Sequence, residues 1–190
     1  SYVGTTHKKK EGTPTMGGLI FILGSLLTIA YLIFAKKIDY TANLGIVWQV
    51  FIGYAIIGFI DDILSVKKGN NEGLTIYQKL FMQVIIAIGF FFIYMRSGGQ
   101  TSLAVATLGI DIEMKWLYGI FILFVLVGSS NSVNLTDGLD GLAGGLSAIA
   151  FVAFSLISLT VGFEEIGIFL MVLAGSLLGF LMFNHNPAKV

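Results

Sequence analysis

The chain has 190 residues, of which 56% are hydrophobic, with 11 basic and 11 acidic side chains and no cysteine. Such an apolar composition is typical of a membrane protein and argues against a soluble domain. The balance of positive and negative charge argues against nucleic acid as a partner. Without cysteine the chain can form no disulfide, thiolate nucleophile or zinc–thiolate site.

Apolar runs that approach the length of a membrane-spanning helix, about 20 residues, recur along the chain. In chain order six runs cover residues of about 16–35, 44–60, 80–95, 116–127, 142–161 and 166–183. Between the third and fourth runs, residues 96–115 predict a short hairpin outside the bilayer. The sequence therefore predicts an all-α, polytopic bundle of about six transmembrane helices. We expect it to form a single integral-membrane domain over residues 1–190 in a lipid bilayer.

The basic residues indicate which side of the membrane the polar segments face. If the spans alternate in direction, the leading segment, residues 61–78, residues 131–141 and the final residues share one side. That side carries seven lysines, whereas the other side carries four basic residues. The positive-inside rule predicts that the lysine-rich side is cytoplasmic, where nucleotide substrates are available, although Lys36 and Lys37 oppose this assignment.

Two consecutive carboxylates, Asp61 and Asp62, directly follow the second apolar run. A carboxylate at the end of a membrane helix is unfavourable unless it meets water, a cation or a partner. On a helix the two side chains point about 100° apart, so one could face a metal or phosphate and the other a proton. The alternative interpretation is a solvated helix end, although acids at a helix C-terminus oppose the macrodipole.

The segment from Asn134 to Gly141 is polar and rich in glycine, and we expect its backbone to leave the helical form beside water or a cavity. Asp137 or Asp140 could accept a hydrogen bond from the N–H of a uracil ring. Asn134 could ligate Mg²⁺ or contact a ribose hydroxyl. The alternative interpretation is an ordinary polar turn between two spans.

Two lysine-containing segments suit phosphate groups. Lys8 and Thr13 belong to a strip of cations, hydroxyls and glycines at a predicted helix start. The alternative for this strip is a positive-inside anchor. Lys79 lies where the third span begins, and it could extend to the membrane surface or contact a diphosphate.

Three segments together resemble the polyprenyl-phosphate N-acetylhexosamine-1-phosphate transferase family in their order and spacing. They are residues 7–18, His-Lys-Lys-Lys-Glu-Gly-Thr-Pro-Thr-Met-Gly-Gly; residues 59–62, Phe-Ile-Asp-Asp; and residues 131–143, Asn-Ser-Val-Asn-Leu-Thr-Asp-Gly-Leu-Asp-Gly-Leu-Ala. The resemblance implies a Mg²⁺-dependent enzyme of the bacterial inner membrane with its active site facing the cytoplasm. It would transfer phospho-N-acetylmuramoyl-pentapeptide from UDP-N-acetylmuramoyl-pentapeptide to undecaprenyl phosphate and release UMP. Some family members form dimers, which implies a homodimer.

The resemblance also implies roles for the candidate residues. Asp61 or Asp62 would deprotonate or orient the lipid phosphate, and both would join Asn134 in a partial metal site. The groups that would hold phosphates or line the uridine and metal region are Lys8, Thr13, Lys79, Asn134, Asp137 and Asp140. Family members continue into further spans with another Asp motif and a His-rich loop. We therefore expect this chain to be inactive by itself. Because it begins at Ser1 without an initiator Met and ends directly after an apolar span, we expect it to be truncated at both ends.

Two other functions compete with this interpretation. A sibling transferase would use UDP-N-acetylglucosamine, but the Thr-Pro-Thr-Met-Gly-Gly strip argues against it. An ion-coupled transporter would use Asp61 and Asp62 as a cation or proton site. A transporter has no use for the nucleotide-binding groups of residues 134–140, and protection by uridine nucleotides would distinguish the two classes.

Overall fold

A computed structural model describes residues 16–69 and 73–184 of the chain. Within these residues the chain forms six helices: α1 Gly18–Phe34, α2 Ala42–Lys68, α3 Ile76–Arg96, α4 Leu117–Thr136, α5 Leu142–Thr160 and α6 Glu164–Asn184. Strands β1, Ser102–Val105, and β2, Ile110–Glu113, lie between α3 and α4. The predictions of an all-α bundle and of a hairpin at residues 96–115 are confirmed.

Five of the helices in the described residues, α2 to α6, are long and apolar enough to cross a membrane, whereas α1 has 17 residues and is shorter. Helices suit a bilayer because each one satisfies its own backbone hydrogen bonds where no water is available. The chain is therefore a multi-pass membrane protein.

Two helix ends differ from the prediction. Helix α2 does not end at the carboxylate pair, where the second apolar run stops, but continues through it to Lys68, so Lys67 and Lys68 form its last turn. Two lysines in a last turn are favoured by the helix macrodipole. Gly69 then stops the helix with a φ of 64°, a conformation that glycine adopts without steric strain.

Helix α4 also extends further than predicted, because it includes the polar residues up to Thr136. The expectation of non-helical backbone at Asn134 is therefore wrong. Polar side chains do not break the helix here, since they find hydrogen-bond partners without unwinding it. The side-chain amide of Asn131, for example, donates to the carbonyl of Val127 one turn earlier at 2.8 Å.

The described chain divides into two compact units. The first contains α1, α5 and α6, and its core includes Ile29 and Phe169. The Ser155 hydroxyl on α5 donates to the carbonyl of Gly167 on α6 at 2.7 Å in the interior. A Cβ at Gly167 would lie 2.6 Å from Cγ of Leu159, so glycine is needed for this close approach.

The second unit contains α2, α3, the hairpin and α4 up to Leu135. Helix α3 begins with a capping box, in which the Thr75 side chain accepts from the Gln78 N–H and the Gln78 side chain accepts from the Thr75 N–H. The strands pair antiparallel, with Leu103 opposite Ile112. Because α2, α3 and α4 alternate in direction, the C-terminal ends of α2 and α4 and the start of α3 share one end of this unit.

Candidate active site

An ion pair joins α2 and α3 at this end of the second unit. The Lys79 ammonium lies 3.2 Å from Oδ2 of Asp61, and these side chains are 24% and 28% exposed. The continuation of α2 past Asp61 and the capping box at the start of α3 bring the two residues together. A carboxylate at the edge of the membrane thus finds the cation that it requires.

The same carboxylate also holds the loop that leads into α3. Oδ1 of Asp61 accepts a hydrogen bond from the backbone N–H of Leu74 at 2.7 Å. A Cβ at Gly73 would overlap the Asp61 carboxylate, so this approach requires glycine. Lys68 adds a second connection by donating to the carbonyl of Gly73 at 3.0 Å.

Asp62 has different surroundings from its neighbour. Its side chain is exposed, whereas Asp61 is half-buried and has a partner on each carboxylate oxygen. This difference follows from the turn of about 100° between consecutive helical residues. The structure therefore separates the two carboxylates into one that organises protein groups and one that faces outward.

Asn134, Asp137 and Asp140 lie in and after the last turn of α4. Asn134 is exposed on the helix, in the same unit as Asp61 and Lys79. Asp137 and Asp140 belong to the turn between α4 and α5, in the other unit. That turn ends at Gly141, which has a φ of 76° and whose N–H donates to Oδ1 of Asn184 at 3.1 Å.

Two predicted phosphate ligands, Lys8 and Thr13, lie outside the described residues. Among residues 16–69 and 73–184 no group of three or more Asp, Glu, His or Cys side chains is positioned to hold a metal ion. Carboxylate and amide oxygens, such as those of Asp62 and Asn134, are nevertheless the ligands that Mg²⁺ prefers. The described residues by themselves therefore do not form a complete metal site.

A buried hydrogen-bond network lies next to the ion pair in the second unit. Gln83 on α3 is 2% exposed. Its Nε2 donates to the Ser130 hydroxyl at 3.1 Å, and its Oε1 accepts from Nδ2 of Asn131 at 3.0 Å. One side chain of α3 therefore binds two consecutive residues of α4.

Tyr54 connects this network to α2. Its hydroxyl donates to the carbonyl of Leu126 on α4 at 3.0 Å, four residues before Ser130. We call this set of residues the polar layer: Tyr54, Gln83, Ser130 and Asn131. No sequence motif predicts the layer, and its main signal is a glutamine inside an apolar run, one turn after Lys79.

The helices and the charged site define a class of protein: a multi-pass membrane protein with carboxylates and a lysine at one end of its spans. Comparison of the sequence with known families identifies the particular family. The chain belongs to glycosyl transferase family 4, which it matches over residues 43–190. Residues 10–22 also match signature 1 of the phospho-N-acetylmuramoyl-pentapeptide-transferases. The predicted resemblance is confirmed.

The chain is similar to several proteins named phospho-N-acetylmuramoyl-pentapeptide-transferase. It is 44% identical over 185 residues to that of Geobacillus thermodenitrificans and 47% identical over 186 residues to that of Bacillus cytotoxicus. The identity to a Bacillus anthracis relative is 45% over 186 residues. Each match covers 97% of this chain and 57% of the relative, so the chain spans little more than half the length of these relatives.

Proposed function

We propose that the protein carrying this chain transfers phospho-N-acetylmuramoyl-pentapeptide from UDP-N-acetylmuramoyl-pentapeptide to undecaprenyl phosphate. UMP would leave, and the product would be a lipid-linked peptidoglycan precursor. The names of relatives that match 97% of the chain support the substrate. The structural observation that carries the proposal is the Asp61–Lys79 pair, which joins α2 to the start of α3 beside an outward-facing Asp62.

The proposed reaction exchanges one phosphoanhydride bond for another. An oxygen of the lipid phosphate forms a bond to the phosphorus that carries the sugar, and the bond from that phosphorus to the oxygen of UMP breaks. The protein must hold several negative phosphates and accept any proton on the attacking phosphate. Lys79 and Lys8 supply positive charge for the phosphates, with Thr13 as a hydroxyl donor from the same strip as Lys8.

The two carboxylates divide the remaining work in this proposal. Asp61 orients Lys79 and the Leu74 loop, because both of its oxygens already accept from these groups. Asp62 is exposed and is the better candidate to accept a proton from the lipid phosphate. Asp62→Asn should therefore reduce the rate of the chemical step more selectively than Asp61→Asn.

Magnesium completes the proposed site. Asp61, Asp62 and Asn134 would hold the ion, with further ligands beyond the described residues. Bound Mg²⁺ would offset the negative charge that develops on the leaving phosphate. Asp137 and Asp140 would recognise the uridine, since a carboxylate can accept from the uracil N–H.

The proposed location is the bacterial inner membrane, with the site on the cytoplasmic side. The lysine-rich segments on the site's side support this orientation. It would place the site beside the pool of UDP-sugar.

A direct assay tests the proposal and separates it from its rival. The full-length protein in detergent is incubated with undecaprenyl phosphate, Mg²⁺ and either UDP-N-acetylmuramoyl-pentapeptide or UDP-N-acetylglucosamine, and UMP is measured. We expect UMP only with the muramoyl substrate, and a collapse of UMP release in Asp61→Asn, Asp62→Asn and Asp140→Asn. Release with UDP-N-acetylglucosamine alone would identify the sibling transferase, and undiminished activity in all three variants would overturn the residue roles.

A further inference from the structure

Helix α4 carries Asn134 and contacts its neighbours through both aromatic and polar side chains. In the part of the chain that the structure describes, no residue of α4 is buried. Apolar contacts with α3 occur in its first turn, where the Tyr118 ring stacks on that of Tyr94 with centroids 5.8 Å apart and a Cβ at Gly119 would lie 3.0 Å from the Phe91 ring. In the second half of the helix, which carries Asn134, hydrogen bonds from α2 and α3 add directional contacts.

The polar layer supplies such hydrogen bonds from two neighbouring helices. Gln83 on α3 binds Ser130 and Asn131, and Tyr54 on α2 binds the Leu126 carbonyl. These contacts meet α4 over slightly more than one turn. Leaving a side-chain amide without a hydrogen-bond partner in an apolar environment costs free energy. A rotation of α4 that broke these bonds is therefore unfavourable.

The polar layer lies close to the candidate active site along every helix. Gln83 is four residues after Lys79, and Asn131 is three residues before Asn134, so each pair is about one turn apart. Tyr54 is seven residues, or about two turns, before Asp61. A rotation of α4 by about 30° would move an atom about 5 to 6 Å from the helix axis by roughly 3 Å. Such a displacement would remove Asn134 from hydrogen-bonding distance of any ligand it holds.

We propose that Gln83 is a positioning residue for the transfer reaction, fixing the rotation of α4 relative to α3 so that Asn134 and Lys79 act on one substrate. This inference rests on the proposed function for the identity of that substrate. Gln83 itself touches neither substrate nor metal in this proposal. It acts through its hydrogen bond to Asn131. We call these two hydrogen-bonded side chains the amide bridge, and their combined length sets the spacing between α3 and α4 at this point.

A reciprocal exchange tests the bridge. Gln83→Asn shortens it by one methylene, Asn131→Gln lengthens it by one, and the double variant restores the total length. We expect each single variant to lower kcat/KM at least about ten-fold, as misplacement of binding groups does, and the double variant to recover to within about three-fold of wild type. The proposal would be overturned if kcat/KM of the single variants stayed within about two-fold of wild type. It would also be overturned if kcat/KM of the double variant were no higher than that of the less active single variant.

A matched control distinguishes a specific role of Gln83 in positioning α4 from a general effect of replacing a glutamine inside a membrane helix. Gln49 on α2 has a buried Oε1 that makes no hydrogen bond to any residue the structure describes. We expect Gln49→Leu to retain activity, whereas Gln83→Leu loses it. Equal losses in the two variants would count against a specific role for Gln83.

A second readout does not depend on activity. The chain has no cysteine, so once any cysteines in the rest of the full-length protein are replaced by serine, spin labels can be attached at Ile76→Cys on α3 and Ile120→Cys on α4. The distance between the two labels is then measured. We expect Gln83→Leu to broaden or shift the distance distribution and Gln49→Leu to leave it unchanged. An unchanged distribution in Gln83→Leu would overturn the proposal. If the wild type released no UMP, the proposed function would fail. The label distances would still decide whether Gln83 fixes the rotation of α4 relative to α3.

Discussion

The carboxylate of Asp61 binds the ammonium of Lys79 at 3.2 Å across two neighbouring helices. Its other oxygen holds the backbone N–H of Leu74 at 2.7 Å. One side chain thus orients a cation and closes the loop between α2 and α3. Because the pair is partly exposed to water, its contribution to stability is small, and its consequence is the placement of charge.

The pair should behave as a unit in kinetics. Lys79→Gln leaves Asp61 without its cation, and Asp61→Asn leaves Lys79 without its anion, so either change alone should lower kcat/KM by roughly 100-fold or more. The double variant should lose little more than the worse single, since the interaction is already absent. UMP release by the three variants checks this, and fully additive losses would show that the two residues act independently.

Asp62 should differ from Asp61 in which kinetic constant it affects. As a proton acceptor, Asp62 should matter mainly for the chemical step, so Asp62→Asn should lower kcat by roughly 10²- to 10⁴-fold with a small change in KM. Asp61→Asn should raise KM for the UDP-sugar as well, because Lys79 is no longer oriented. Steady-state kinetics over a range of UDP-sugar concentrations distinguishes the two patterns, and the reverse pattern would exchange the proposed roles.

The loop before α3 offers a test that leaves every charged residue in place. A Cβ at Gly73 would overlap the Asp61 carboxylate, so Gly73→Ala should displace Asp61 or the loop and lower kcat/KM at least about ten-fold. Gly58→Ala is the control, because a Cβ at Gly58 on α2 meets nothing within 4 Å. Full activity in Gly73→Ala would show that the Asp61–Leu74 contact is dispensable.

The packing of α5 on α6 should be sensitive to one methyl group. Gly167→Ala places a Cβ 2.6 Å from Cγ of Leu159 and 3.2 Å from the carbonyl oxygen of Ser155. Overpacking of this kind lowers the free energy of unfolding by about 1 to 3 kcal/mol. Gly175→Ala on the same helix meets nothing within 4 Å and should not destabilise the protein. Thermal unfolding in detergent compares the two, and equal midpoints would contradict the expected clash.

The sequence by itself determined the number and type of elements. Long apolar runs predict membrane helices because the bilayer forces the backbone to satisfy its own hydrogen bonds. Residues 96–115 are less apolar, and they form the predicted hairpin between α3 and α4. The motifs around Asp61 and Asn134 also identified the family, since their order and spacing are properties of the chain alone.

The tertiary structure decided how far the helices extend and which side chains meet. Asp61 lies within α2 rather than at its end. There its carboxylate is stabilised by Lys79, 18 residues away in sequence, and by the N–H of Leu74, 13 residues away. Gln83 reaches Ser130 and Asn131 across 47 and 48 residues of sequence. Local sequence patterns report only on neighbours within a few residues. The partners that make a polar group stable inside an apolar bundle become known only when the helices are packed together.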